Sequence, residues 1–134
     1  MFNKISHIGI AVKNIEDSIS VFKNILGVEC KGEEVVDGQN VKVAFLPVGD
    51  SEIELLESTS TDGKIAKFIE KNGEGVHHIA FEVKNLEAKL VDLEKKGFQL
   101  IDKKPRCGAG GARIAFLHPQ CTSGVLIELC EHNS

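Results

Sequence analysis

The chain repeats itself, and no other feature of the sequence restricts its fold as strongly. His7-Ile-Gly-Ile-Ala-Val-Lys-Asn-Ile-Glu16 matches His78-Ile-Ala-Phe-Glu-Val-Lys-Asn-Leu-Glu87, an offset of 78 − 7 = 71. The same offset carries Val43-Ala44-Phe45-Leu46 onto Ile114-Ala115-Phe116-Leu117. One longer loop later, Ile53-Glu54-Leu55-Leu56-Glu57 matches Ile127-Glu128-Leu129-Cys130-Glu131, now offset by 128 − 54 = 74. Two copies of one module follow, over residues 3–57 and 76–131, with a connecting helical segment over 58–75.

Each copy has the same grammar. A strand (Ile5 to Val12; Val76 to Val83) runs into Lys-Asn, where Asn14 and Asn85 suit helix N-caps. Ile15, Ile19, Phe22 and Leu26 then recur at helical spacing, as do Leu86, Leu90 and Leu93, and Gly27 and Gly97 are stop signals. Three strand-like segments follow in each copy, at 28–36, 41–48 and 51–57, then 98–104, 112–118 and 124–131. Turns at Asp37-Gly38, Gly49-Asp50, Gly108 to Gly111 and Ser123-Gly124 separate them. Gly63 to Lys71 reads as a short helix ending at Asn72-Gly73. The predicted fold is α+β: two βαβββ modules related by a pseudo-twofold, forming a curved mixed sheet around a metal-binding cleft. No Pro- or Ser-rich linker divides the halves, so residues 1–134 read as a single domain.

Composition narrows the partners. With 16 Lys and Arg against 20 Asp and Glu, the formal charge is −4. That is a poor match to nucleic acid or an anionic membrane. The apolar stretches fall well short of the roughly 20 residues needed to span a bilayer. A strand pattern begins directly after Met1, with no secretory signal in sight. Cys30, Cys107, Cys121 and Cys130 form no C-x-x-C pair and read as reduced packing or loop thiols of a cytoplasmic protein.

Period-two alternation assigns faces. Ile8, Ile10 and Val12 point under the helix, while His7, Gly9 and Ala11 point away. In the second copy Ile79, Phe81 and Val83 take the helix side together with His77, which makes His78 the mate of His7. In the last strand of each module Glu54 and Glu128 face away from their apolar neighbours. A carboxylate inside Val-Leu-Ile-Glu-Leu is costly unless it is paired or bound to a cation. A lone strand histidine is commonly a satisfied core residue, and a strand glutamate a solvated one. Four such residues at repeat-equivalent places on one face favour a convergent site instead. Two imidazoles and two carboxylates, His7, Glu54, His78 and Glu128, suit one divalent first-row metal ion: Co, Ni, Mn or Fe ahead of the usually four-coordinate Zn.

The paired modules and the His/Glu/His/Glu set resemble the vicinal oxygen chelate, or glyoxalase, superfamily over essentially the whole chain. Gly73-Glu-Gly-Val-His-His-Ile-Ala-Phe81 and Gly110-Gly-Ala-Arg-Ile-Ala-Phe-Leu-His-Pro119 are similar to the methylmalonyl-CoA epimerase branch. The resemblance implies metal ligands at His7, His78 and Glu128, with Glu54 where that branch carries Gln or Glu. It further implies a homodimer, a thioester substrate, and movement of an α-proton through a metal-bound enediolate, a charge that a chelating metal stabilises. Glu128 is the first acid/base candidate. The branch places a second glutamate in the third strand, where this chain has Val43, so Glu54 or a metal-bound water is left for that role.

Three other readings share the superfamily. Lactoylglutathione lyase (glyoxalase I), acting on the methylglyoxal–glutathione hemithioacetal, uses the same proton chemistry, and Glu54 suits its ligand set. A ring-cleaving Fe(II) dioxygenase would be left too few open positions by a fourth protein ligand. A metal-free drug-binding module would not need the four donors. Lys103, Lys104 and Arg106 could meet phosphates from a glycine-rich loop or remain solvated cations, while His118 and His132 read as loop and tail residues.

Overall fold

The computed structural model describes residues 2–36 and 38–132. Chain order is β1 (Lys4–Ala11), α1 (Ile15–Leu26), β2 (Gly32–Val36), β3 (Val41–Val48), β4 (Ser51–Ser58), α2 (Lys64–Asn72), β5 (Gly75–Glu82), α3 (Leu86–Lys95), β6 (Arg106–Cys107), β7 (Arg113–Leu117) and β8 (Ile127–Glu131). The strands belong to one hydrogen-bonded mixed sheet in the order β2-β3-β4-β1-β5-β8-β7-β6. Each copy of the repeat therefore orders its strands alike. The first strand pairs in parallel with the fourth, and the remaining pairings are antiparallel. This is the α+β architecture that the repeat predicts. Among the described residues no helix is long and apolar enough to cross a membrane.

The chain divides into two compact units, residues 7–77 and residues 1–6 with 78–134. In the first unit, Asn14 starts α1 by accepting from the Asp17 N–H at 3.0 Å, and Glu16 and Asp17 complement the positive helix end. Gly27 ends it at φ 70°, a left-handed conformation that side chains with a Cβ rarely take, and returns its N–H to Lys23. Ile15 and Val12 join Ala44, Leu46 and Leu55 in a core, with Ile10, Ile19 and Phe22 packed against it. Leu26 does not join this face as its spacing predicts, being 43% exposed. Val28 and Cys30, returning after Gly27, pack against that core instead. Gly63 precedes α2 where a Cβ would run into the Ser58 hydroxyl, so a larger residue would require that hydroxyl to turn away from the Ser60 carbonyl it now donates to.

In the second unit Asn85 caps α3 in the same way, accepting from the Ala88 N–H at 3.1 Å. Leu86 and Leu90 pack on Val83, Ala115, Leu117 and Leu129, with Leu93 beside them. Some predicted strands are shorter than expected and one is absent. The first-module segment 28–36 pairs as a strand only from Gly32, and 124–131 only from Ile127. Segment 98–104 is not a strand; it makes one bridge, Leu100 to Leu117, and pairing resumes at Arg106. Pro105 lacks an N–H and restricts Lys104, and the Asp102 carboxylate takes the Phe116 N–H at 2.9 Å, so regular pairing cannot run through. Of the Asp37-Gly38 turn, Asp37 lies outside the described residues, and Gly38 has φ 80°.

Candidate active site

Strand parity places the polar residues as predicted. In the first unit Gly9 and Phe45 are the cross-strand neighbours of Glu54, so Glu54 stands on the sheet face opposite α1, as does His7 two residues before Gly9. His7 and Glu54 are both 6% exposed. Their His7 Nδ1 and Glu54 Oε2 atoms are 3.4 Å apart.

The second unit repeats this arrangement. Ala80 and Phe116 flank Glu128 across the strands. His78 and Glu128 are 5% and 4% exposed, and His78 Nε2 lies 3.3 Å from Glu128 Oε1. The His78 ring meets the Phe116 ring edge-on at 5.6 Å. His77 is turned the other way, its ring against Phe68 of α2 at 5.0 Å, which explains why His78 and not His77 is the mate of His7.

The spacing within each pair fits a cation. Buried imidazole and carboxylate groups are costly without compensation. Both N···O separations exceed the mode for a strong hydrogen bond. Two donor atoms that each bind one metal at about 2.1 Å stand about 3.0 Å apart at a right angle and about 3.4 Å apart at a tetrahedral angle, and both pairs match that range. In the second unit the buried Cys130, on the same side of β8 as Glu128, is a further candidate donor.

Cys130 is the residue that sequence reading passed over. It lies two positions after Glu128, fully buried, and its thiol is 3.8 Å from His132 Nε2. Period two from Glu128 was the signal that could have singled it out. His132 in turn is exposed beyond the end of β8, as a tail residue should be, with its Nε2 3.4 Å from the Ser6 hydroxyl. His118 is the expected loop residue; its Nδ1 accepts from the Gln120 N–H. Val43 is 1% exposed and opposite Leu56 and Glu34 in the register, an apolar position on the same face as Glu54.

Residues 6–116 match the Glyoxalase/Bleomycin resistance protein/Dioxygenase superfamily, and the chain belongs to that superfamily. Its relatives include an uncharacterised protein of Bacillus subtilis (strain 168), 46% identical over 129 residues, which are 96% of this chain and 92% of that one. The human mitochondrial methylmalonyl-CoA epimerase is 37% identical over 127 residues, 94% of this chain and 72% of that protein. A solved methylmalonyl-CoA epimerase in complex with methylmalonyl-CoA and NH4+ superposes with a TM-score of 0.93 at 37% identity, covering 100% of this chain and 97% of the other. Within the superfamily this chain is thus an enzyme of the methylmalonyl-CoA epimerase kind. These relatives give no support to a lactoylglutathione lyase.

Proposed function

We propose that the protein epimerises methylmalonyl-CoA, a CoA thioester with a carboxylate on its α-carbon. In this reading His7, Glu54, His78 and Glu128 hold one divalent first-row ion, Co, Ni, Mn or Fe before Zn. The observation that carries it is the pair of buried His–Glu contacts, 3.4 and 3.3 Å, at repeat-equivalent places. When bound, such an ion supplies electrostatic stabilisation to negative charge on substrate oxygens.

The protein's own groups do the rest. Glu128 takes the α-proton onto a carboxylate oxygen, and Glu54, its repeat-equivalent, is the candidate to return one. The small side chain of Ala80 beside Glu128, and Gly9 beside Glu54, keep room for an acyl group next to each carboxylate. Phe116 on the other flank of Glu128 helps exclude water. The same reading makes the protein a cytoplasmic homodimer, supported by the family resemblance and by cysteines without C-x-x-C spacing.

The experiment is proton exchange of methylmalonyl-CoA in deuterated water with metal-loaded protein. The expected result is deuterium at the α-carbon together with interconversion of the epimers. Activity on methylglyoxal plus glutathione, with methylmalonyl-CoA inert, would select the lyase chemistry instead.

A further inference from the structure

The sheet face that carries His78 and Glu128 also carries a cation. Arg106 of β6 stands opposite Ile114 of β7, and Ile114 opposite Cys130 of β8. Cys130 shares its side of β8 with Glu128. Ile114, Ala80, Ala112 and Cys130, with Phe116, form the apolar cluster of that face. The Arg106 guanidinium lies over the Phe116 ring, 5.4 Å from its centre, and that ring also meets His78 nearly perpendicularly. The other cations of the loop go elsewhere: Lys103 lies 3.6 Å from Glu94 of α3 with its side chain 76% exposed, and Lys104 is exposed.

Arg106 is held from one end. Asp102 Oδ1 lies 3.2 Å from its Nε, yet outside hydrogen-bond geometry, since Nε is buried without a hydrogen-bond partner. Asp102 is itself fixed to β7, accepting from the Phe116 N–H at 2.9 Å and donating its own N–H to the Phe116 carbonyl at 3.2 Å. Among the described residues the partners of Arg106 are therefore Asp102, on the Nε side, and an aromatic face. This geometry presents the two terminal nitrogens, the fork that matches a carboxylate with two parallel hydrogen bonds. An anionic substrate approaching Glu128 meets a like charge, and a guanidinium fixed on the same face offsets it.

We propose that Arg106 binds the carboxylate on the substrate's α-carbon, and so selects 2-carboxyacyl thioesters over plain acyl thioesters. The inference rests on the epimerase reading and adds its specificity residue. The alternative source of an anion is a phosphate of the CoA portion.

Titration calorimetry of metal-loaded protein with three ligands separates these. Methylmalonyl-CoA has both the carboxylate and the nucleotide phosphates, propionyl-CoA only the phosphates, and methylmalonyl-pantetheine only the carboxylate. Arg106→Met should weaken both methylmalonyl ligands by roughly 10- to 100-fold, the worth of a charged hydrogen-bonded contact, and leave propionyl-CoA within about two-fold. Arg106→Lys keeps the charge but not the fork; an intermediate loss on the same two ligands is expected, and this variant carries the test if the Met variant does not fold. Equal weakening of both CoA ligands with methylmalonyl-pantetheine unaffected would assign a phosphate contact and overturn the inference. So would unchanged selectivity in both variants while the wild type binds methylmalonyl-CoA. A wild type that binds none of the three defeats the epimerase reading and this inference with it.

Discussion

Glu128 condenses the chemistry of the molecule into one side chain. It is 4% exposed, flanked by Ala80 and Phe116, with His78 Nε2 3.3 Å from its Oε1. A carboxylate so placed needs a cation to remain charged, and a charged carboxylate is what a proton acceptor must be. Glu128→Gln preserves shape and removes the basic oxygen, so turnover should fall by roughly 10²- to 10⁴-fold. Elemental analysis of purified protein should find about one divalent ion per chain, as a single site of this donor set implies, and Glu128→Ala and His78→Ala should each lose it. Full retention of metal in both variants would remove the site as drawn. The sheet face on which the four candidate residues stand was legible in the sequence because a period of two is a geometric property of any strand. Cys130 was not, because a buried thiol packs like a small hydrophobe and so reads as core.

At the scale of elements, the sequence was most readable where local chemistry decides. The Asn14 and Asn85 caps and the Gly27 stop depend on backbone groups within one turn, and all three stand where predicted. The strand expected over 98–104 depended instead on which partner its backbone would find, and Asp102 and Pro105 redirected that pairing. Side-chain ties between elements were equally hidden. Lys42 of β3 reaches Glu33 of β2 at 2.9 Å and Glu16 of α1 at 3.9 Å. The Glu33 hydrogen bond first, and then its charge, raise the Lys42 ammonium above its ordinary 10.5. A raised folded value means that the tie contributes fully below the unfolded value of 10.5 and is lost as pH climbs through the folded one. The pair is solvated, so the effect on global stability is small. Glu33→Gln should bring the Lys42 titration, followed by NMR at Nζ, back down toward 10.5; an unmoved titration would show that Glu33 is not the cause.

For the molecule as a whole, the compact units and the repeated modules are not the same division. Residues 1–6 group with 78–134, although the repeat begins near residue 3. The Asn3 N–H donates to the Glu82 carbonyl at 3.0 Å and Phe2 packs on Phe81, so the start of β1 is tied to the second unit by contacts that self-similarity cannot reveal. The strands β1 and β5 each contribute residues to both units. Unfolding one unit alone would therefore break strands of the other, and a single cooperative transition is expected. The proposed ion adds a second prediction to the same melt. A ligand that binds only the folded chain at about 100 times its Kd stabilises by about 2.7 kcal/mol, on the order of 10 °C for a domain of this size. Chelation should lower the melting temperature by that order. If one ion is shared by all four side chains, His7→Ala and His78→Ala, which lie in different units, should each abolish the chelator-sensitive shift. A shift that survives in His7→Ala but not in His78→Ala would confine the metal to the His78–Glu128 pair and leave Glu54 free of any ligand role.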